Sequence, residues 1–251
     1  SWRTAAAPLM TTPYFMEEVV AEEDQVPILG FMKNPAADFW MWDYLFAGYP
    51  GFDEKTLDVD LAGVADMTGS ASLTVRLRGG SGAANNHHHI VVTLNGEVVG
   101  EGQWQGLTPY QATFSIRQQQ LNEGENTVSL KAVKDSGVSS SVVFIDDFEI
   151  SYARVYQPVD NVLSFSAGKN KGLVVGGFSE ADVLVFEKDG MVTGPVKHQV
   201  LRGSSGGFSV SFHPSSATKK YYAATGSGAL LAEEAYVSDS ISLREQVGAE
   251  W

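Results

Sequence analysis

Apolar and polar residues alternate with a period of two along most of the chain. In "ASLTVRLRG", Leu73, Val75 and Leu77 fall on one side, with Thr74, Arg76 and Arg78 on the other. "YQATFSI" repeats the pattern with Tyr110, Ala112, Phe114 and Ile116, and "NTVSLKAV" with Val128, Leu130 and Ala132. Successive strand side chains point to opposite faces, so each segment predicts a half-buried β-strand. Turn signals separate the strands: "LNGE" at 94–97, "NEGEN" at 122–126 and "KDGM" at 188–191. Helical spacing is confined to short stretches at 117–121 and 240–247. Short strands punctuated by glycine-rich turns predict an all-β chain built of sandwiches. "SYARVYQPVDN", at 151–161, follows the apolar "VVFIDDFEI" and carries a proline before strands resume. It marks a boundary between two tandem β-sandwich domains, at 21–155 and 156–234. Residues 1–20 are then an N-terminal extension, and 235–251 a linker or truncated connection to a following domain.

Composition narrows the function. The 251 residues suffice for one large or two ordinary domains without covalent staples. The chain has no cysteine, which excludes disulfides, thiolate zinc sites and a cysteine nucleophile within it. The formal net charge is -13, and the first 60 residues hold only Arg3, Lys33 and Lys55 as cations. Such a field repels nucleic acid and anionic membrane, so neither is an expected partner. No stretch approaches the run of about 18 apolar residues that spans a bilayer. The start, "SWRTAAAPLMTTPYF", lacks the apolar core of a signal peptide. The expectation is a mature form or an internal piece of a longer protein.

Candidate chemistry sits in a few places. "NNHHHIVVTLNG" opens an apolar run with His87, His88 and His89. Alternation puts His88 with Ile90, Val92 and Leu94, and turns His87 and His89 outward. The plain reading is the entrance of a core strand; the alternatives are a ligand or metal contact through His87 and His89, or catalysis. "DFWMWDYLFAGYPG" sets Trp40, Trp42, Tyr44 and Phe46 on one face if extended. Aromatic faces stack on the C–H face of a sugar, but they also fill cores and domain seams. Trp104, in a loop-like context between "GEGQ" and "QGLTPY", is a further candidate for an exposed ring. In "VVFIDDFEI", alternation groups Asp146 with Phe144, Phe148 and Ile150, and Asp147 with Ile145 and Glu149. An aspartate on an apolar face needs a hydrogen bond, a partner or a cation. Glu22 and Asp24 could join Asp146 or Asp147 around a structural calcium. "GSSGG" satisfies G-x-S-x-G in letters only, because both flanks read as strands rather than strand and helix.

"FWMWDYLFAG", "HHIVVTLNGEVVGEGQWQGLTPYQATFSI", "LNEGENTVSLKA" and "SVVFIDDFEISYARVY" resemble, in that order, the β-sandwich region preceding the caspase-like domain of gingipain-like cysteine peptidases. "LSFSA", "DVLVFE", "GGFSVSF" and "KKYYAAT" resemble the second sandwich of that region. "LNEGENTVSL" and "VFIDDFEI" are also similar to closing strands of jelly-roll carbohydrate-binding modules. The resemblance implies a jelly-roll-like (galactose-binding-like) first sandwich and a smaller Ig-like second one. It further implies a secreted or cell-surface protein, with an adjoining protease domain in the same chain as partner. The family's catalytic Cys and His would lie in that domain, so the fragment itself is expected to be no enzyme. No cofactor is required. The carbohydrate-binding resemblance implies polysaccharide as an alternative partner and maps a structural calcium onto Asp146 or Asp147.

Overall fold

The computed structural model describes residues 12–28, 30, 39–82, 87–189, 192–204 and 206–228. The helix expected at 240–247 and the connection expected at 235–251 lie outside these residues.

The first sandwich contains β1 (Tyr14–Glu22), β2 (Val26–Pro27), β3 (Trp40–Met41), β4 (Asp43–Phe46), β5 (Glu54–Leu61) and β6 (Ser70–Gly79). It continues with β7 (His87–Leu94), β8 (Glu97–Gln105), β9 (Pro109–Arg117), β10 (Gly124–Ala132) and β11 (Val142–Val155). One sheet runs β1-β11-β6-β9, with β4 also on β11; the facing sheet runs β5-β10-β7-β8. From β5 to β11 the chain passes repeatedly from one sheet to the other, as a jelly roll does. The alternation seen in the sequence sets the core: Leu73, Val75, Val92, Leu130, Ile145 and Phe148 are fully buried between the sheets. Each such side chain contributes about 1.5–3 kcal/mol of apolar transfer.

The second sandwich contains β12 (Val162–Ser166), β13 (Leu173–Phe178), β14 (Leu184–Asp189), β15 (Val192–Pro195), β16 (Gln199–Arg202), β17 (Phe208–Phe212) and β18 (Lys220–Ala224). Its sheets run β12-β18-β14-β15 and β13-β17-β16 around a separate core that includes Phe165, Val175, Val210 and Tyr221. The "GSSGG" stretch joins two paired strands, β16 and β17, as its flanks predicted.

Three local features depart from simple periodicity. The register of β11 on β6 shifts between Ile145 and Asp147. This bulge inserts a residue, so Ile145 and Phe148 both face the core although they are three positions apart. Strict alternation therefore misassigned two neighbours: Phe144 is only half-buried, and Asp147 does not share a face with Ile145. At 117–121 the expected helical stretch is a single 3-10 turn, Gln118–Gln120. The Gln118 side chain, 1% exposed, donates to the carbonyls of Ala153 and Ala65 and accepts from the Ala153 N–H.

The third departure is at the joint. Strand β1 begins at Tyr14, within the stretch expected as an N-terminal extension, and pairs with β11 along its whole length. Phe15 and Tyr156 continue past the first core into the second, their rings 5.1 Å apart beside Phe165. Asn170 accepts from Thr12 N (2.9 Å) and donates to Thr12 O (3.0 Å) and the Tyr156 hydroxyl (3.2 Å). The two ends of one strand pair thus enter the neighbouring sandwich.

Candidate functional site

At the opposite end of the first sandwich, the turn between β4 and β5 carries large apolar side chains in water. Phe46, Tyr49 and Phe52 are 37%, 59% and 52% exposed. The turn is tight: Phe52 N–H donates to Tyr49 O (2.9 Å) and Phe46 N–H to Phe52 O (2.7 Å). Gly48 (φ 77°) and Gly51 (φ 86°) take the left-handed backbone that this path needs. A cavity of about 530 Å³ opens between Phe46, Tyr49, Phe52, Ser140, Ser141 and Val142. That volume lies within the usual range for small-molecule sites. Phe46 meets Tyr44 and Tyr49 edge-on, at centroid distances of 5.5 and 6.1 Å, which orients the rings around the opening.

The far wall is the end of the β10–β11 connection (133–141), where Ser140 and Ser141 line the cavity. Its Ser141 carbonyl accepts from Ala47 N (3.0 Å), and Ser81 Oγ accepts from Val142 N (3.1 Å). Two adjacent histidines of β7 contact this connection from opposite faces of the strand, His88 at the wall residue Ser141 and His89 at Asp135. His88 is fully buried, with Ile90, Val92 and Leu94 on its side, as alternation predicts. Its Nε2–H donates to Gly106 O (3.1 Å), so Nδ1 is free to accept from Ser141 Oγ (2.8 Å). Burial lowers the pKa of this ring and keeps it neutral. Gly79 permits the approach, because a Cβ there would lie 1.9 Å from the Gly106 oxygen.

His89 faces outward, as expected. Nδ1 lies 3.0 Å from Asp135 Oδ1, and Nε2 lies 3.4 Å from Glu101 Oε2. Burial opposes its charge, but the hydrogen bonds and charges of Asp135 and Glu101 outweigh it and raise its pKa. His87 is exposed and accepts from Gln105 Nε2 (3.1 Å).

The other candidate residues scatter. Trp42 sits in a bend after β3, its N–H bonded to Ile145 O, and its ring stacks on Phe148 in the core at 5.6 Å. The bend turns Trp42 inward while Tyr44 and Phe46 remain on the outside, so these aromatics do not form one continuous face. Trp40 is half-buried beside Phe39, on the small β2–β3 ribbon. Trp104 lies in β8 rather than in a loop, half-buried, stacked on Tyr110 at 4.4 Å and against His88 at 4.9 Å. Glu22 is directly opposite Asp147 in the β1–β11 ladder. Arg76 bridges Asp147 (2.5 Å), one of the two aspartates read as possible calcium ligands, and Glu149 (2.8 Å). Asp24 is exposed, and Asp146 is half-buried at the bulge. Among the described residues, no three His, Asp or Glu side chains gather in a way that would hold a metal. Tyr49, Phe52, Ser140 and Ser141 were not singled out from the sequence. The available signal was two aromatic residues in a Gly/Pro turn, "GYPGF", where no strand can bury them.

No family model matches the chain, and no curated protein matches it at the sequence level. Among solved structures, dimeric latent PorU from Porphyromonas gingivalis superposes with a TM-score of 0.60 at 12% identity, over 87% of this chain and 21% of that one. The chain shares that fold. It spans about a fifth of PorU. The CBM36-1 domain of a multidomain xylanase, from the hindgut metagenome of Trinervitermes trinervoides, is similar at a TM-score of 0.34 and 18% identity, over 53% of this chain and 96% of that one. A carbohydrate-binding module CBM36 in complex with calcium and xylotriose has the same score and identity, over 53% and 98%. Both groups resembled by the sequence are therefore represented, PorU by a shared fold and the modules at scores too low to bear on this chain's ligand. Among the described residues, no helix is long and apolar enough to cross a membrane.

Proposed function

We propose that this chain is a non-catalytic accessory region of a larger, exported gingipain-like protein, and that the free end of its first sandwich binds a saccharide. The observation that carries the binding reading is the cavity walled by Phe46, Tyr49 and Phe52. Three exposed rings at one opening go against the cost of leaving apolar surface in water, and a sugar's C–H face is suited to cover them. The cavity also lies away from the joint, so a ligand there leaves the second sandwich free to contact an adjoining protease domain. The shared fold with PorU over most of the chain supports the accessory reading.

The test is calorimetric titration of the folded chain against a panel of soluble polysaccharides, beside the Tyr49→Ala/Phe52→Ala double variant. Binding by the parent chain with a loss of at least about tenfold in the variant is expected, since each ring contact is worth about 1 kcal/mol or more. Absence of heat with every saccharide would remove the ligand reading. Turnover of a peptide library by the chain alone would remove the accessory one.

A further inference from the structure

The second sandwich leaves one strand without cover. Its sheet β13-β17-β16 ends at β16, and all four residues of that strand, Gln199 to Arg202, are exposed. Val200 lies opposite the fully buried Val210, on the core face, yet is itself 40% exposed. Leu201, on the outer face, is 44% exposed. The core stops short of β16, and an aliphatic side chain stands in water on each side of the strand.

The backbone of β16 is open as well. Gly203 N–H donates to Gly207 O (2.8 Å) at the head of the β16–β17 hairpin. Hydrogen-bonded pairs alternate in an antiparallel ladder, so Gln199 and Leu201 bond to β17 while Val200 and Arg202 turn N–H and C=O outward. The other edges of this sandwich are blunted. β12 lies beside β1, whose Phe15 packs on Phe165 at 6.2 Å. β13 is broken by a register shift at Gly177 (φ 99°), and β15 ends in Pro195, which has no N–H to offer.

We propose that β16 is a docking edge that takes an extended, acidic segment of a separate polypeptide as a fourth strand of its sheet. Backbone hydrogen bonds at Val200 and Arg202 hold the added strand, and its alternate side chains cover Val200 on one face and Leu201 on the other. Charge selects the occupant. The chain as a whole carries a net charge of -13, yet the residues flanking the aliphatic pair include Lys197 and Arg202, both exposed. Among the described residues, neither makes an ion pair. A second copy's β16 would bring two basic edges together, so the strand repels its own kind and attracts carboxylates. This edge belongs to the second sandwich and works independently of the cavity at the free end of the first.

The experiment is an amide NMR titration of the folded chain with a capped peptide of alternating valine and threonine flanked by glutamates. A second peptide carries lysines in place of the glutamates, and a third is the acidic peptide with its central amides N-methylated. Shifts centred on 198–203 are expected with the acidic peptide, and binding at least about fivefold weaker with the lysine one, as attractions become repulsions. The N-methylated peptide should not bind. Val200→Pro removes an outward N–H without touching the β17 ladder and should weaken the acidic peptide at least about fivefold. Lys197→Glu/Arg202→Glu keeps the backbone and should reverse the preference between the two charged peptides, so the test survives a proline variant that fails to fold. Unchanged β16 amides with the acidic peptide, or equal binding of the N-methylated one, overturns the docking edge. Equal binding of the acidic and lysine peptides overturns the acidic occupant. Dimerisation through β16 without peptide, read by sedimentation, would make a second copy the occupant and overturns the proposal too.

Discussion

The two ends of the first sandwich use their polar groups differently. At the joint end, polar side chains are spent on backbone. Asn126, fully buried, accepts from Asn122 N (2.8 Å) and donates to the carbonyls of Asn122 and Gly124 (both 2.9 Å). Glu123, although exposed, receives Gly63 N (2.8 Å) and Val64 N (2.7 Å), and buried Gln118 satisfies both polar groups of Ala153. At the free end, rings are left in water and the wall is held through groups that titrate. Amide side chains with several backbone partners thus lie at the joint end, and exposed rings and histidine contacts at the other.

The largest expected effect breaks the joint end. Asn126→Ala removes a buried hub that satisfies several part-buried backbone groups, each costing about 1–3 kcal/mol when orphaned. A loss of about 3 kcal/mol is expected, read as a fall of roughly 8 °C in melting temperature. A change within about 1 kcal/mol would contradict the division between the ends. At the free end, Tyr49→Ala should change stability by no more than about 0.5 kcal/mol, as exposed residues usually do, while weakening ligand binding. If it destabilised the chain as much as Asn126→Ala, the rings would be structural. Arg76→Ala, on the open sheet face, should cost about 1 kcal/mol, because its partners are part-exposed and water screens them. The smallest expected effect is of chelator on the melting curve. With Asp147 already paired with Arg76, excess chelator should leave the midpoint unchanged. A fall reversed by added calcium would support the calcium reading of the aspartates at the bulge.

The fold was readable where one periodicity ran unbroken. Leu73, Val75 and Leu77 on β6, and Val128, Leu130 and Ala132 on β10, face the core as their alternation says. His88 was placed by the same rule. The rule failed at the bulge, since an inserted residue has no local signature in "FIDDFE" and only the partner strand reveals it. It failed again at Trp42, where a bend between two short strands resets the faces. The site was less readable because its residues come from distant turns. Tyr49 and Ser141 meet only after β4, β5, β10 and β11 are in place. Asp135 and Glu101 as partners of His89 likewise depend on cross-strand geometry that single-chain spacing does not encode.

The most direct measurement is hydroxyl-radical footprinting of the folded chain with and without the saccharide that binds it. Protection confined to Phe46, Tyr49 and Phe52, with Met16 on β1 and Val159 at the joint unchanged, is the predicted result. Protection at Met16 or Val159 with the three rings still reactive would contradict the assignment of binding to the free end.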